Sequence, residues 1–428
     1  MKRVLVLGGG FGGVAAARHL SQATGDDVEV RLINRANVLT YTPFLADVAG
    51  GTLAAVHAVP PVRALAPLAR HEVAEVLAID VAAQKVTTRL PDGVRTERDY
   101  DYLVVALGAT TSFRHGEGSA QHGLALSSIA DAYFLRNRVL EMLELASVSR
   151  DPALRRELLT FVFCGGGFSG IEGAAAIEDL VHDALCFYPD IEPAEPRFIL
   201  APHGDRLLEQ IDETLGDYVL RQFERRMVDV RLGVGVTKVD ARSATLSTGE
   251  VVPTRTVVWA AGIEVNPLLA GVDLPKDTHG AIRVGRNLQV QGHENVFALG
   301  DCAAVPTAKP GSFYAPTAQN AEREGPIAAR NILALLRGEA ADHTFDYTPI
   351  GSLASLGHRK AVAQIKGVSV SGLPAWIMWR GIYLGKLPRS ARKVQVALDW
   401  VGDLFNPAEI TYLPIGAVGT RPGFGETD

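Results

Sequence analysis

Short apolar runs alternate with longer alanine- and leucine-rich stretches through residues 1–300 of this 428-residue chain. Runs of this length and β-branched composition are typical of strands, and strands buried on both faces of a parallel sheet read as continuously apolar. The pattern predicts strands at Val4–Leu7, Val28–Ile33, Tyr102–Ala106, Leu159–Phe163, Phe198–Leu200, Val257–Trp259 and Val296–Ala298. Strands that alternate with helical stretches indicate an α/β fold.

The first predicted strand runs into a glycine-rich turn within "VLVLGGGFGGVAAARHL" (residues 4–20). Gly8, Gly10 and Gly13 follow the GxGxxG pattern, placed after a strand and at the start of a helix. In such a turn the first glycine permits the sharp bend, the second lets a pyrophosphate approach, and the third lets helix and strand pack closely. The helix start then holds the phosphate charge. We therefore predict a dinucleotide site here.

A second copy of this device lies in "FVFCGGGFSGIEGAAAIEDL" (residues 161–180), with Gly165, Gly167 and Gly170 in the same spacing. Two dinucleotide folds in one chain suggest two dinucleotides, one a flavin and the other a nicotinamide. The alternative is a duplicated scaffold whose second site is empty.

The strand after each glycine loop normally ends in an acidic residue that holds the ribose hydroxyls. After the first loop this position is Asn34, followed by Arg35, and we expect Asn34 to contact the ribose. After the second loop Ala201 and Pro202 stand there, so neither NAD nor NADP is clearly selected.

Composition narrows the classes of function. A net charge of −6 offers no global attraction to nucleic acid. The three cysteines form no CxxC motif and have no metal-ligand spacing, so they do not indicate a disulfide scaffold or a zinc site. The strand predicted at residue 4 leaves no room for a signal peptide, and no apolar run reaches 18 residues. We expect a cytoplasmic protein.

The pattern changes after about residue 345, where alternating segments give way to a basic region that contains Trp376, Trp379 and Trp400. A following helix places four apolar residues on one face at spacings of 4, 3 and 4, namely Val394, Leu398, Val401 and Phe405. Nearby basic residues are Arg380, Lys386, Arg389, Arg392 and Lys393. This combination is typical of a helix that lies in a membrane interface. A homodimer interface and ordinary core cover are the alternatives.

Three further strand-to-glycine crossings carry a resemblance to a known superfamily: "HENVFALGDCAAV" (293–305), "YLVVALGAT" (102–110) and "TVVWAAGIEVNP" (256–267). With the two loops they resemble the flavoproteins that have two dinucleotide-binding domains, the pyridine nucleotide-disulfide oxidoreductase-like proteins. Within that group the chain is most similar to the type II NADH:quinone oxidoreductases. The matching segments are "YTPFLADVAGG" (41–51), "PTAQNAEREG" (316–325), "GSLASLGHRKAVA" (351–363) and "SGLPAWIMWRGIYL" (371–384).

The resemblance implies two Rossmann-like domains, the second inserted into the first, and a C-terminal α+β region with amphipathic helices. The expected boundaries are 1–113 and 291–345 for an FAD-binding domain, 114–290 for an NAD(P)H-binding domain, and 346–428 for a membrane-interface or oligomerisation region. The residues that the resemblance assigns to non-covalent FAD are Gly8, Gly10, Phe11, Gly12, Gly13, Asn34, Arg35, Thr42, Pro43, Ala106, Gly108, Gly300, Asp301, Ala318 and Gln319. Those assigned to NAD(P)H are Gly165, Gly167, Phe168, Ser169, Gly170, Glu172, Ala261 and Gly262.

The implied activity is transfer of a hydride from NADH or NADPH to N5 of the flavin, followed by transfer of two electrons to a quinone without proton pumping. No metal is needed. Glu172 and Gln319 are the expected catalytic residues, Glu172 near the flavin–nicotinamide contact and Gln319 at the quinone pocket. The alternatives from the residues alone are a helix-start acid for Glu172 and a capping or surface amide for Gln319. Two departures from the family pattern are Gly173 after Glu172 and Glu324 in place of a glutamine.

The resemblance also implies a peripheral protein on the inner face of the cell membrane. Homodimer formation stays open. His358 is interpreted as a structural residue in an alternating strand. Two other functions fit the same motifs: a soluble NAD(P)H-dependent reductase for a protein carrier or small molecule, and a non-enzymatic flavin and nicotinamide sensor.

Overall fold

A computed structural model describes residues 1–406 and 409–413 of the chain. In this part the strands are β1 Lys2–Leu7, β2 Val28–Asn34, β3 Arg70–Val73, β4 Glu75–Asp80, β5 Lys85–Arg89, β6 Arg95–Asp99, β7 Tyr102–Val105, β8 Ala109–Thr111, β9 Thr160–Cys164, β10 Arg197–Ala201, β11 Asp229–Val230, β12 Val236–Asp240, β13 Ser243–Leu246, β14 Val251–Pro253, β15 Thr256–Trp259, β16 Ile263–Val265, β17 Ile282–Arg283, β18 Val296–Ala298, β19 Ala303–Ala304, β20 Gly351–Ser355, β21 Ala361–Ile365 and β22 Val368–Gly372.

The α-helices of the described residues are α1 Phe11–Ala23, α2 Leu45–Ala49, α3 Val62–Leu65, α4 Ser119–His122, α5 Ile129–Val148, α6 Pro152–Leu158, α7 Phe168–Ala184, α8 Glu213–Arg225, α9 Ala318–Leu336, α10 Leu373–Lys386 and α11 Ser390–Asp403. Short 3-10 turns at Thr42–Phe44 and Gly300–Cys302 carry residues of the predicted site. All seven predicted strands are confirmed, with ends that differ by at most two residues.

The chain divides into two compact units, each made of several segments. Unit 1 consists of residues 1–40, 59–110 and 263–350, and unit 2 of residues 41–58, 111–262 and those described from 351 onward. Segment 111–262 is thus inserted between parts of unit 1. The three domain boundaries expected from the sequence stay a prediction.

Unit 1 is built on a parallel five-stranded sheet with the order β18-β7-β1-β2-β3. Its central strand β1 has four consecutive buried residues, Val4–Leu7, as a parallel strand covered on both faces requires. Helices α1 and α9 pack closely because both carry glycine at the contact. A Cβ on Gly325 would lie 2.5 Å from the carbonyl oxygen of Gly12.

Unit 2 repeats this architecture with a parallel four-stranded sheet in the order β11-β10-β9-β15. All five residues of β9 are buried. The two parallel sheets, each with its glycine loop after a central strand, confirm the predicted α/β class and the duplication.

The C-terminal part of unit 2 is an antiparallel sheet, β20-β21-β22, followed by α10 and α11. An aromatic cluster joins these helices to the 42–49 segment. Phe44 lies at its centre, with ring centroids 6.0 Å from Trp379, 6.5 Å from Tyr383 and 5.5 Å from Trp400. Trp379 and Trp400 are therefore core residues of unit 2, whereas their basic surroundings in the sequence suggested an interfacial position.

Candidate functional site

The first glycine loop of unit 1 is shaped for a phosphate group. Gly8 has a φ of +106°, and a Cβ there would collide with the carbonyl oxygen of Ala106, while a Cβ on Gly13 would collide with the carbonyl oxygen of Gly8. Gly10, in contrast, faces open space, with no heavy atom within 4 Å of an added Cβ. Each glycine thus has the role that the GxGxxG pattern requires of it. The open space lies at the start of α1, whose first residues include Phe11, Gly12 and Gly13.

Three neighbouring strands end at this loop. Leu7 of β1 pairs with Val105 of β7, and Val105 pairs with Ala298 of β18. Because the strands are parallel, their carboxyl ends meet at one edge of the sheet, where a ligand binds in doubly wound folds. The structure therefore brings together the predicted residues that follow these strands: Gly8, Ala106, Gly108, Gly300 and Asp301.

Asn34, the predicted ribose contact, ends β2 beside the loop. Its Oδ1 accepts a 2.9 Å hydrogen bond from the backbone N–H of Gly9, and its Nδ2 donates a 2.7 Å bond to the carbonyl oxygen of Ala36. The side chain is therefore fixed at the loop, and Arg35 follows it as an exposed residue.

Glu324 reaches the Gly300–Asp301 motif from α9. It is 2% exposed, and its Oε2 accepts a 2.7 Å hydrogen bond from the backbone N–H of Gly300. Burial raises the pKa of Glu324 to about 7 and also raises the pKa of Asp301. Glu324 thus holds the turn that contains Asp301 through its bond from the Gly300 N–H. The side-chain oxygen of a glutamine, the residue common in the family at this position, is able to accept the same bond.

Gln319 and Ala318 form the first turn of α9, after the N-cap Thr317. The hydroxyl of Tyr347 donates a 3.3 Å hydrogen bond to Oε1 of Gln319, and the Arg323 guanidinium lies 4.2 Å from the centroid of the Tyr347 ring. Tyr347 carries no motif in the sequence, so only the three-dimensional structure reveals that it orients Gln319.

The second loop, in unit 2, repeats the first in detail. Gly165 has a φ of +113°, and a Cβ there would collide with the carbonyl oxygen of Ala260, whereas Gly167 faces open space. A Cβ on Gly170 would collide with Gly165. Phe168 and Ser169 begin α7, and Ala261 and Gly262 follow the neighbouring strand β15. This loop, too, has room for a pyrophosphate where its middle glycine lies.

Pro202 takes the place in the second loop that Asn34 has in the first. It follows the last residue of β10. A Cβ added to Gly166 would lie 2.8 Å from the Cβ of Pro202, just as a Cβ added to Gly9 would meet the side chain of Asn34. Pro202 has no polar side-chain atom, so it contributes neither the charge nor the hydrogen bond that a ribose contact needs.

Glu172 lies in the second turn of α7, enclosed by unit 2 and reached only partly by solvent. Its Oε1 accepts a 2.8 Å hydrogen bond from the backbone N–H of Ser355. The pKa of Glu172 is raised to about 8: burial is the main cause, the Ser355 bond acts against it, and the nearby Asp47 adds to it. A carboxyl group with a pKa near 8 holds its proton at neutral pH, unlike a solvated carboxylate.

The charged groups around Asp47 connect the 42–49 segment to the C-terminal helices. The Trp400 indole donates a 3.1 Å hydrogen bond to Asp47, and burial raises the pKa of Asp47 to about 6. Arg380 pairs with Asp403 at 3.1 Å and lies 4.0 Å from the centroid of the Trp376 ring. Arg380 is thus held inside unit 2, and the expectation that it belongs to a lipid-facing basic cluster is wrong for this residue.

His358 lies in the turn between β20 and β21 and not within a strand, because the turn is closed at Gly357, whose φ is +66°. Its backbone N–H donates a 3.0 Å bond to Oδ2 of Asp179, and its Nε2 lies 3.1 Å from Oδ1 of the same residue. The side chain is 54% exposed.

Two of the three cysteines are buried, as expected for small apolar side chains. Cys164 is 1% and Cys302 0% exposed, and burial raises the pKa of both thiols, that of Cys302 to about 11. Neither is a thiolate at neutral pH, so neither is prepared for nucleophilic or redox chemistry.

Helices α10 and α11 expose a set of large apolar side chains. The four apolar residues that the sequence placed on one face are each more than half exposed, and the last of them, Phe405, lies just beyond the end of α11. The exposed apolar face comprises Leu373, Ile377, Val394, Leu398, Val401 and Phe405. Among the described residues, no helix is long and apolar enough to cross a membrane.

Thr42 and Pro43 lie in the short turn Thr42–Phe44, which belongs to unit 2, whereas the other predicted FAD residues belong to unit 1. Within unit 1 the open space at Gly10, next to the Gly9 amide that Asn34 holds, fits a dinucleotide such as FAD.

Comparison with known proteins gives two family matches along the chain. Residues 2–325 match the pyridine nucleotide-disulphide oxidoreductase family, and residues 350–406 match the NDH2 C-terminal domain. Among curated relatives, the chain is 33% identical over 414 residues to the type II NADH:quinone oxidoreductase Ndh of Mycobacterium tuberculosis, covering 93% of this chain and 87% of that protein. It is 30% identical to the demethylphylloquinone reductase NdbB of Synechocystis, covering 93% and 95%.

Among solved structures, NDH2 from Plasmodium falciparum in complex with NADH superposes with a TM-score of 0.89. The match covers 96% of this chain and 99% of that one. The sequence identity is 18%, so the superposition shows a shared fold and no more.

Proposed function

Because the chain belongs to the type II NADH:quinone oxidoreductases, we propose that it oxidises NADH and reduces a quinone through bound FAD, with Glu172 and Gln319 as its catalytic residues. Bound FAD would supply the redox chemistry, namely hydride acceptance from NADH and two-electron transfer to the quinone. The residue assignment rests on the Glu172 carboxyl in the helix of the second loop, which accepts a hydrogen bond from Ser355 and has a raised pKa. Steady-state assays test the activity: NADH oxidation should require quinone at a ratio of one to one.

The residues proposed to hold FAD are those gathered at the edge of the first parallel sheet. Gly10 leaves the space that a pyrophosphate would fill at the start of α1. Asn34 offers an amide to the ribose and Asp301 a carboxyl group to the ribityl chain. The remaining members of this group are Gly8, Phe11, Gly12, Gly13, Arg35, Ala106, Gly108, Gly300 and Ala318, with Thr42 and Pro43 as contacts assigned by resemblance.

The residues proposed to hold the nicotinamide nucleotide are Gly165, Gly167, Phe168, Ser169, Gly170, Ala261 and Gly262. The open space at Gly167 supports a pyrophosphate there. Pro202 leaves the ribose without a carboxylate partner, so we propose that this loop binds NADH by its pyrophosphate and discriminates little against NADPH. The relative that was solved with NADH has the same fold.

Glu172 is proposed to supply a proton at the reacting centre. Reduction of a quinone by NADH consumes one proton from solution in each turnover, and a carboxyl group with a pKa of about 8 is loaded at neutral pH. Gln319 is proposed to line the quinone pocket, where the hydrogen bond from the Tyr347 hydroxyl to its carbonyl oxygen fixes the side chain.

The exposed apolar face of α10 and α11 is proposed to dock on the inner surface of the cell membrane. Six large apolar side chains point to solvent there, and the quinone substrate is lipid-soluble. Basic residues at the start of α11, Arg389 and Lys393, lie beside this face and would attract anionic lipid. A homodimer formed through the same face is the competing arrangement, and lipid binding by the face distinguishes the two.

A further inference from the structure

Unit 2 contains a cavity of about 430 Å³ that has Glu172 in its wall. The turn at His358 forms another part of that wall, together with α2, α7, α10 and the end of α11. Five carboxyl groups line the cavity: Asp47, Glu172, Asp179, Asp183 and Asp403. A space of this size holds many water molecules, and its polar groups give them partners.

The wall of the cavity near Glu172 contains a buried donor, the indole N–H of Trp379. Trp379 is 2% exposed, and its indole N–H lies beside the Glu172 carboxyl, close enough to lower the pKa of that group but without a full hydrogen bond to any described atom. A buried polar group without a partner is costly, and a water molecule in the cavity is the simplest partner for this one. Water is therefore expected next to Glu172.

His358 forms a solvent-exposed part of the cavity wall. Its Nε2 lies 3.1 Å from Asp179 and 3.7 Å from Asp183, while more than half of the side chain is exposed to bulk solvent. A side chain in this position contacts both the carboxyl groups of the cavity and the surrounding water. Imidazole takes up and releases protons near neutral pH more readily than any other side chain.

Charged groups from several parts of unit 2 act on the pKa of His358. Burial lowers the pKa of His358, the carboxylates of Asp183 and Asp403 raise it, and the cations Arg226 and Lys360 lower it. Asp179, which it contacts, is buried and has its own pKa raised. The imidazole is thus neutral at neutral pH and free to accept a proton, which a permanently charged imidazolium would not be.

We propose that this cavity is a water-filled proton inlet, in which His358 takes protons from bulk solvent and water relays them to Glu172. The proposal rests on the proposed function, since it assigns to Glu172 the proton that quinone reduction consumes. The balance is one proton per turnover. It enters on the imidazole of His358, passes along water to the Glu172 carboxylate, and leaves as one hydroxyl hydrogen of the quinol, with no electron passing through the cavity.

The test uses the full-length protein with its bound FAD and the variant His358→Gln, which keeps a polar side chain at an exposed position. Flavin reduction by NADH takes no proton from solution, so its rate should stay within about twofold of the wild type. Reoxidation by a soluble quinone should slow at least about tenfold at pH 8, the usual scale for loss of a proton-transfer group. Added imidazole should restore it, and the deficit should shrink at pH 6, where protons are plentiful.

The matched control is His182→Gln, which removes a partly exposed histidine of α7 that pairs with Glu178 at 3.1 Å and does not line the cavity. Both of its half-reactions should match the wild type. Unchanged reoxidation in His358→Gln, or slowed reoxidation that imidazole does not restore, would overturn the inlet.

The variant Glu172→Gln separates this proposal from the proposed function. If Glu172→Gln slows reoxidation while His358→Gln does not, the inlet is wrong and the role of Glu172 stands. If Glu172→Gln reoxidises at the wild-type rate, the proposed role of Glu172 fails, and the inlet fails with it.

Discussion

The backbone N–H of Ser355 donates a 2.8 Å hydrogen bond to the Glu172 carboxyl, joining residues 183 positions apart in the chain. This bond connects the helix of the second glycine loop to the C-terminal sheet. A helix-start glutamate in the sequence is thereby a largely enclosed carboxyl group with a raised pKa in the folded protein.

Replacing Glu172 by glutamine should slow quinone-driven reoxidation of the flavin and remove its dependence on pH near 8. The pKa of about 8 means that Glu172 is loaded with a proton below pH 8 and loses it above. Quinone-driven reoxidation of the wild type should therefore fall as the pH rises through 8. Glu172→Gln should be slower by about tenfold or more at pH 7 and should lack this pH dependence. Stopped-flow reoxidation rates between pH 6 and 9 check it, with flavin absorbance to confirm bound FAD.

The same shift predicts an effect on stability. A carboxyl group whose pKa is higher in the folded than in the unfolded state holds its proton more strongly when folded, so its contribution to stability falls as the pH rises from about 4.5 to 8. The melting temperature of Glu172→Gln should therefore exceed that of the wild type at pH 8.5 by more than it does at pH 5. An equal difference at both pH values would show that Glu172 ionises normally.

Alanine at Gly10 should remove FAD without harming the fold. An added Cβ meets no protein atom within 4 Å, but it projects into the space proposed for the pyrophosphate. The purified variant should be colourless yet show a normal circular dichroism spectrum. Gly271→Ala is the matched control, because Gly271 also lies in unit 1 and has equally open surroundings. A yellow Gly10→Ala protein would contradict the assignment of this loop.

Replacing Gly167 by alanine should weaken the binding of NADH and leave FAD bound. The second loop has the same open space, which we assign to the nicotinamide nucleotide. Gly167→Ala should keep its FAD and raise the KM for NADH by about tenfold, a loss of roughly 1.4 kcal/mol of binding. Loss of FAD from this variant would mean that the two loops have been assigned in the wrong order.

A carboxylate at position 202 should give the protein a preference for NADH. Pro202 faces the second loop where other dinucleotide folds place an acid for the ribose hydroxyls, and an acid there repels the additional phosphate of NADPH. Pro202→Glu should raise the ratio of kcat/KM for NADH over NADPH by about tenfold relative to the wild type. Pro202→Gln controls for loss of the proline ring, and an equal change in that variant would refute the charge explanation.

Two acidic substitutions on the exposed apolar face should release the protein from lipid. Leu398 and Val401 are 64% and 52% exposed on α11, and burial of each in lipid is worth about 2 kcal/mol. Leu398→Glu with Val401→Glu should abolish flotation with anionic vesicles. Val148→Glu, at a 78% exposed site on α5, is the matched control and should still float. A wild-type protein that does not float would refute membrane docking.

The glycine loops and the central strands were predictable from sequence because both depend on neighbouring residues. Gly8, Gly10 and Gly13 have their roles set by one strand, one turn and one helix. The surroundings of Glu172 were not predictable in this way. Asp47, Ser355 and Trp379 reach it from distant parts of the chain, and no local pattern encodes their meeting.

His358 was predicted in a strand and lies in a turn. The alternating pattern around His358 reads as one strand, but Gly357 adopts a φ of +66° and divides it into β20 and β21. His358 is thereby moved from a strand face to the edge of a cavity. The basic tail shows the same limitation, since Arg380 looks like a surface cation in sequence and is paired with Asp403 in the structure.

The central claim is that the chain passes electrons from NADH through FAD to a quinone, and anaerobic mixing tests it most directly. The purified protein, with its flavin oxidised, is mixed with NADH and then with a soluble quinone while the visible flavin absorbance is followed. We predict rapid bleaching by NADH and rapid recovery on addition of quinone. A flavin that NADH does not bleach, or one that bleaches but does not recover with quinone, would contradict the claim.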